Sequence, residues 1–110
     1  MKTYPLCDEN NELYAFEVSN SFLGSGSIAR FLQRCSGCEV LQVRKMFSSS
    51  EEHVLFKFEG LDFIVWEPFG DSSRLYIGFS DPESMNRIVL MRLLNVVSNT
   101  PCFSFFKSRS

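Results

Sequence analysis

The feature that most constrains the fold is a pair of alternating apolar segments joined by a two-residue turn. The segments are residues 53–58 and 61–66, and Glu59-Gly60 lies between them. A two-residue loop that contains Gly is typical of a β-hairpin, so the register follows by counting outward from the turn. The predicted cross-strand pairs are Phe58/Leu61, Lys57/Asp62, Phe56/Phe63, Leu55/Ile64, Val54/Val65 and His53/Trp66.

The two faces of this hairpin differ in polarity. Successive side chains of a strand point to opposite faces, so alternate pairs lie on the same face. One face is wholly apolar, and we expect it to lie in the core: Phe58/Leu61, Phe56/Phe63 and Val54/Val65. The other face is mixed, and we expect it to form the outer surface of the sheet: Lys57/Asp62, Leu55/Ile64 and His53/Trp66.

The remaining elements are predicted from periodicity and capping residues. Strands are expected at 13–18, 39–47 and 74–79, where apolar and β-branched or aromatic residues recur. A helix over 27–34 has one apolar stripe, made of Ile28, Phe31, Leu32 and Cys35. A second helix is expected over 82–97, with Asp81 as its N-cap and Pro82 at its first position.

The predicted order of elements is β-α-β-β-β-β-α. The strands between 39 and 79 follow one another too closely for helical crossovers, so the sheet must be mainly antiparallel. We therefore expect an α+β fold in which a four-stranded meander takes the first strand beside it and two helices pack on one face. With 110 residues, the chain is expected to be a single domain over 1–110, with loose segments at 1–12 and 102–110.

Charge and composition exclude several classes of partner. Eleven basic and thirteen acidic residues give a formal charge of −2, which argues against binding to nucleic acid or to an anionic membrane surface. No apolar run approaches the roughly 18 residues of a membrane-spanning helix, and the N-terminus lacks an apolar signal segment. Four cysteines are too few for a disulfide-stapled secreted scaffold, so we expect reduced thiols and a cytoplasmic protein.

Cys35-Ser36-Gly37-Cys38 is a CxxC motif that fits either redox chemistry or half of a zinc site. Redox pairs normally lie at a helix N-terminus, whereas this motif follows a helix, where the dipole is expected to raise a thiol pKa. A zinc site needs two further ligands, and the remaining Cys7, Cys102 and His53 form no second paired motif. We expect Cys35 to be a helix core residue, with Ser36-Gly37 ending the helix and no metal or cofactor bound; the two alternatives stay open.

Residues 24–29 match the dinucleotide-binding pattern G-x-G-x-x-A, and Arg44-Lys45 follow about twenty residues later. A helix N-terminus attracts phosphate, so this segment is a candidate anion site, made of Gly24, Ser25, Gly26 and Ser27. The surroundings do not fit a dinucleotide fold, because polar Ser19-Asn20-Ser21 replace a buried strand and no further βαβ unit follows. We therefore expect these residues to shape a loop and cap a helix.

Catalytic residue types are sparse. A nucleophile and base pair requires a histidine, and His53 is the only one. The carboxylates Glu67, Asp71 and Asp81 lie in the turns at the ends of the strands 61–67 and 74–79, a pattern that fits an acid/base pair or a divalent-cation site. Acids in turns more often serve as solvated ends or helix caps. The sequence therefore predicts a protein that is not an enzyme.

An interaction surface is the best-supported functional prediction. If both helices cover one face of the sheet, the outer face retains an apolar patch made of Leu55, Ile64, Trp66 and Tyr76. We expect a small non-catalytic domain that binds a protein partner or a second copy through this patch or through the second helix. Two alternatives remain. The N-terminal segment or residues 103–106 cover the patch, or the chain is a small enzyme or ligand-binding domain that uses residues 24–29 for a phosphate-bearing ligand.

Overall fold

A computed structural model of the chain describes residues 1–19, 25–43, 52–66 and 74–100, with the backbone alone at 25–27, 52 and 53. Six strands and two α-helices give the α+β class that the sequence predicts. Their bounds are β1 Thr3–Cys7, β2 Leu13–Ser19, α1 Ser25–Arg34, β3 Cys38–Val43, β4 Glu52–Phe58, β5 Leu61–Trp66, β6 Arg74–Phe79, a 3₁₀-helix Pro82–Ser84, and α2 Arg87–Asn99.

The strands form one sheet in the order β1-β2-β6-β5-β4-β3, and each neighbouring pair is antiparallel. Strands β3 to β6 form a meander in which each strand pairs with the next. β6 then pairs with β2, the strand predicted at 13–18, so the predicted place of that strand beside the meander is confirmed. The segment that contains α1 therefore connects β2 to β3, which lies at the far edge of the sheet.

The register of the β4–β5 hairpin confirms five of the six predicted pairs, from Phe58/Leu61 to Val54/Val65. Glu59 and Gly60 both have positive φ, at 52° and 80°, as a type I′ turn requires. The sixth predicted pair is wrong: Glu52, and not His53, lies opposite Trp66. A β-bulge between Glu52 and Val54 adds one residue to β4 and shifts the pairing there.

The prediction that residues 1–12 are loose is also wrong. Thr3–Cys7 pairs with β2 as an edge strand, and Pro5 is tolerated there because an edge strand bonds to a neighbour on one side only. The acidic segment that follows forms the connecting turn, in which the Asp8 carboxylate accepts bonds from the backbone N–H groups of Asn10 and Glu12.

The core lies between one face of the sheet and both helices, as predicted. Strand residues and helix residues form a single buried cluster that includes Cys35 of the α1 terminus. Its largest fully buried side chains are Phe16, Phe31, Phe56, Phe63, Ile28, Leu32, Ile77, Leu90 and Leu93. The apolar face of the hairpin is thus the inner face, and the mixed face is the outer one.

The second helix begins later than predicted. Asp81 caps only the 3₁₀-helix, where its carboxylate accepts from the Glu83 N–H, and the α-helix starts after Asn86, whose side chain accepts from the Val89 N–H. One side of α2 is buried, while Ile88 and Met91 are 65% and 57% exposed. The wide apolar arc of this helix therefore belongs to a surface helix and not to a central core helix.

Candidate functional site: the outer face of the sheet

The register places apolar side chains side by side across the outer face. Leu6 lies beside Ala15, Ile64 pairs with both Gly78 and Leu55, and Trp66 pairs with Tyr76 in the next row. Together with Tyr14, the large members form what we call the outer strip: Leu6, Tyr14, Leu55, Ile64, Trp66 and Tyr76. All are half-buried or exposed. None belongs to the core cluster or packs against it.

Two aromatic rings in the outer strip hold each other in place. Trp66 and Tyr76 meet edge to face, with ring centroids 5.3 Å apart. The Tyr76 ring also lies over Gly78, where an added Cβ would come within 2.8 Å of Tyr76 Cε1. Burial raises the pKa of the Tyr76 phenol, and nearby Tyr14 raises it further. The absence of a side chain at Gly78 thus allows Tyr76 to lie flat along the sheet.

Tyr14 joins the outer strip through an irregularity in β2. Leu6 pairs with Ala15 but Cys7 pairs with Leu13, so Tyr14 is an extra residue between the two pairs. A bulge of this kind redirects a side chain relative to strict alternation. Tyr14 is 38% exposed, whereas Ala15, beside it, is fully buried.

Ion pairs border the outer strip at both ends. At one end Lys57 Nζ lies 3.0 Å from Asp62 Oδ1. At the other end Arg74 Nη1 lies 3.2 Å from Glu17 Oε1, and the Arg74 guanidinium carbon is 3.6 Å from the centroid of the Tyr4 ring. Each border therefore contains a positive and a negative side chain that pair within the chain.

All four residues of the predicted patch lie on this one face. Leu55, Ile64, Trp66 and Tyr76 are half-buried neighbours in three adjacent strands. The sequence analysis missed Leu6 and Tyr14, because it did not recognise β1 or the bulge opposite it. The alternation of Tyr4 and Leu6 with smaller residues was the available signal, and it is too short to distinguish a strand from a loop.

The sequence analysis left open that either of two segments folds across this face, and for one of them this alternative is wrong. The N-terminal segment extends the sheet at its edge through β1 and does not cross the outer face. The other cover, residues 103–106, lies outside the described residues.

The candidate anion site is described only in part. α1 begins at Ser25, so Ser25, Gly26 and Ser27 form the first turn of the helix, while Gly24 lies outside the described residues. A dinucleotide fold requires neighbouring parallel strands on either side of such a helix. Three strands separate β2 from β3 in this sheet, so the expectation against a dinucleotide fold is confirmed.

Asp81 is the one member of the other candidate residues for chemistry whose side chain lies in the described part, and it serves as the 3₁₀ cap. Glu67, Asp71 and the His53 side chain lie outside that part, so their grouping stays a hypothesis. Within that part, no group of three or more His, Cys, Asp or Glu side chains is placed to hold a metal ion. No helix of the described ranges has both the length and the apolar character needed to cross a membrane.

The CxxC motif lies where α1 meets β3. Cys35 is buried in the core cluster, and Gly37 has a positive φ of 84° just after the helix, as the sequence analysis expects of a helix that ends at Ser36-Gly37. The expected rise in thiol pKa is wrong for Cys35, whose pKa is lowered by the neighbouring Cys38 thiol and by Thr100, although burial acts in the opposite direction. The Cys35 thiol in turn raises the pKa of Cys38.

Comparison of the chain with protein-family models, with curated proteins and with solved structures finds no match in any of the three.

Proposed function

We propose that this chain is a non-catalytic protein-interaction domain that self-associates through the outer strip. The observation that carries the proposal is that six large apolar side chains lie together on one face without packing against the core. A contiguous apolar patch on a folded domain usually marks a contact with another protein.

The charges around the outer strip favour a second copy as the partner. In a two-fold dimer the same surface faces itself, so a face with excess charge of one sign would repel its copy. Both borders of the outer strip are instead neutralised within the chain, by the Lys57–Asp62 and Arg74–Glu17 pairs. Trp66 and Tyr76 supply the aromatic contacts that dominate many interfaces.

The second helix is the weaker of the two predicted surfaces. Its exposed apolar side chains are Ile88 and Met91, and the charged side chains of Arg87 and Arg92 lie on the same helix, paired with acids of other segments. The sequence of α2 itself contains no aromatic residue, in contrast to the outer strip.

Sedimentation equilibrium over a range of concentrations tests the proposal. The parent chain should show a reversible monomer–dimer equilibrium, and the double variant Ile64→Thr/Trp66→Ser should weaken its dimerisation at least tenfold, since truncated interface centres commonly cost more than about 1.4 kcal/mol. Thr retains the β-branched shape that suits a strand, so the variant should keep the fold.

A matched variant on the other surface separates this effect from a general loss of apolar area. Ile88→Thr/Met91→Ser removes two exposed apolar side chains from α2 and should leave the dimerisation constant unchanged. Circular dichroism checks that both variants are folded. A parent chain that stays monomeric at every concentration contradicts the proposal, as does a loss of dimer in the α2 variant alone.

A further inference from the structure

The backbone of the CxxC motif has the geometry of a closed turn. The Cys38 N–H donates to the Cys35 carbonyl over 3.2 Å, and Gly37 supplies the left-handed conformation next to it. A hydrogen-bonded four-residue turn brings its first and last Cα atoms within about 7 Å. Disulfide-bonded cysteines have Cα atoms about 4.4–6.8 Å apart, so the turn brings the two cysteines into that range.

The two side chains of the motif also face each other. The two thiols are near enough for each to shift the pKa of the other, and both are reduced in the structure. Cys35 is almost wholly buried, and Thr100 at the end of α2 is one of the groups that lower its pKa. Cys38 begins β3, pairs with Phe58 and is half-buried, so it is the sulfur that a reagent reaches first.

We propose that Cys35 and Cys38 are a site of reversible oxidation, at which thiol–disulfide exchange with a low-molecular-mass disulfide such as glutathione disulfide closes an intramolecular disulfide. This proposal is independent of the outer strip, because the motif lies at the junction of α1 and β3 and its cysteines face the helices.

The exchange proceeds in two steps that balance. The Cys38 thiolate attacks one sulfur of glutathione disulfide, which forms a mixed disulfide and releases one glutathione thiolate. The Cys35 thiolate then attacks Sγ of Cys38, forms the protein disulfide and expels the second glutathione. The protein dithiol loses two electrons and two protons, and one glutathione disulfide becomes two glutathione molecules.

We expect the two steps of the exchange, the attack by Cys38 and the later attack by Cys35, to differ in rate. The neighbouring Cys35 raises the pKa of Cys38, so few Cys38 thiolates are present and the entering step is slow. The second step is fast because it is intramolecular, and the turn holds Cys35 next to Sγ of Cys38. We expect no mixed disulfide to accumulate when both cysteines are present.

Intact-mass measurement in glutathione redox buffers tests the proposal, in a Cys7→Ser/Cys102→Ser background that removes the exposed Cys7 and the remaining thiol. This chain should lose the mass of two hydrogen atoms and retain no glutathione, and dithiothreitol should restore the original mass. Adding Cys35→Ser should trap one glutathione on Cys38. Adding Cys38→Ser should leave the buried Cys35 unmodified as long as the protein is folded.

The Cys7→Ser/Cys102→Ser chain is sufficient to test the proposal by itself. A folding defect caused by Cys35→Ser or Cys38→Ser therefore does not prevent a decision. Alkylation of its free thiols after equilibration should show a single cooperative transition from two thiols to none as the buffer becomes more oxidising. Persistence of both thiols in glutathione disulfide, or stable accumulation of a mixed disulfide, overturns the proposal.

Discussion

At the residue scale, Phe63 is at the centre of the inner face. Its ring stacks on Phe56 at 5.5 Å between centroids, meets Phe58 edge to face at 6.4 Å and lies 4.4 Å from Phe79. Phe63 is fully buried, and the rings around it come from β4, its partner in the hairpin, and from β6. One side chain therefore joins three strands and fills the space under the helices.

Truncation of this ring should be among the most damaging single changes in the chain. Phe63→Ala should lower the free energy of unfolding by about 3–5 kcal/mol, because it removes apolar contacts and leaves a cavity that a closely packed core only partly fills. Urea denaturation measures the change.

Leu41→Ala is the matched control for this prediction. Leu41 is the extra residue of the β3 bulge and is 48% exposed, so its truncation should change the free energy of unfolding by less than about 0.5 kcal/mol. Equal effects of the two substitutions would contradict the assignment of the inner and outer faces.

At the element scale, the turn of the β4–β5 hairpin is tied to α2. The Arg92 guanidinium donates two hydrogen bonds to the Glu59 carboxylate, with Nε 2.8 Å from Oε2 and Nη2 2.6 Å from Oε1. Glu59 occupies a left-handed turn position that Asn, Asp or Gly usually fills. This bidentate ion pair is a physical reason for a glutamate at a position that its backbone conformation disfavours.

The same ion pair predicts a dependence of stability on pH. Arg92 holds the pKa of Glu59 below its ordinary value in the folded chain. The stabilisation is therefore present above the ordinary carboxyl pKa and is lost as the pH falls through the lowered folded value. Arg92→Gln should flatten this acid-side decrease in the free energy of unfolding, as measured by urea denaturation at a series of pH values.

Glu59→Gln provides the control for the pH prediction. It should flatten the pH dependence as much as Arg92→Gln does, and the double variant should add nothing further, because the two groups form one interaction. Additive effects of the two substitutions on the slope would show that the pair does not cause it.

At the scale of the whole molecule, pairing between segments distant in sequence completes the sheet. β2 pairs with β6, and an ion pair between them joins Glu17 to Arg74, 57 positions apart. β1 then covers the remaining edge of β2, and Thr3 Oγ1 lies 2.9 Å from Ser98 Oγ of α2. β1 therefore covers the edge of β2 and also contacts α2.

Removal of β1 should both destabilise the chain and expose an adhesive edge. Deletion of residues 1–7 should lower the free energy of unfolding by at least about 1–2 kcal/mol through lost strand hydrogen bonds. It should also cause aggregation through the unpaired edge of β2. Urea denaturation and light scattering measure the two effects, in the Ile64→Thr/Trp66→Ser background so that dimerisation through the outer strip does not interfere.

Lys2→Ala/Glu9→Ala is the comparison for this deletion, because both side chains are exposed and the strand itself is kept. This variant should match the background chain in both measurements. A deletion that unfolds at the same urea concentration as the background and scatters no more light would show that β1 contributes nothing to the sheet.

The accuracy of the sequence-based predictions follows the range of the interactions involved. The β4–β5 register was predictable because a two-residue turn fixes the pairing of its flanking residues, and it failed only at Trp66, where a bulge intervenes. β1 was missed because its short pattern is ambiguous until β2 offers an edge to pair with. The start of α2 was misplaced because Asp81 and Asn86 are both good caps, and local preference does not choose between them.

Local periodicity, capping residues and short connections were enough to predict the α+β class, and the hairpin turn with its alternation predicted the inner and outer faces and the four central residues of the outer strip. Those features depend on neighbours in the chain, whose side-chain directions are set by backbone geometry. The contributions of Leu6 and Tyr14, the exposure of α2 and the turn that brings Cys35 and Cys38 together emerged only in the folded chain. They depend on which edges and surfaces remain available after the whole sheet has assembled, and that is a property of all the strands together.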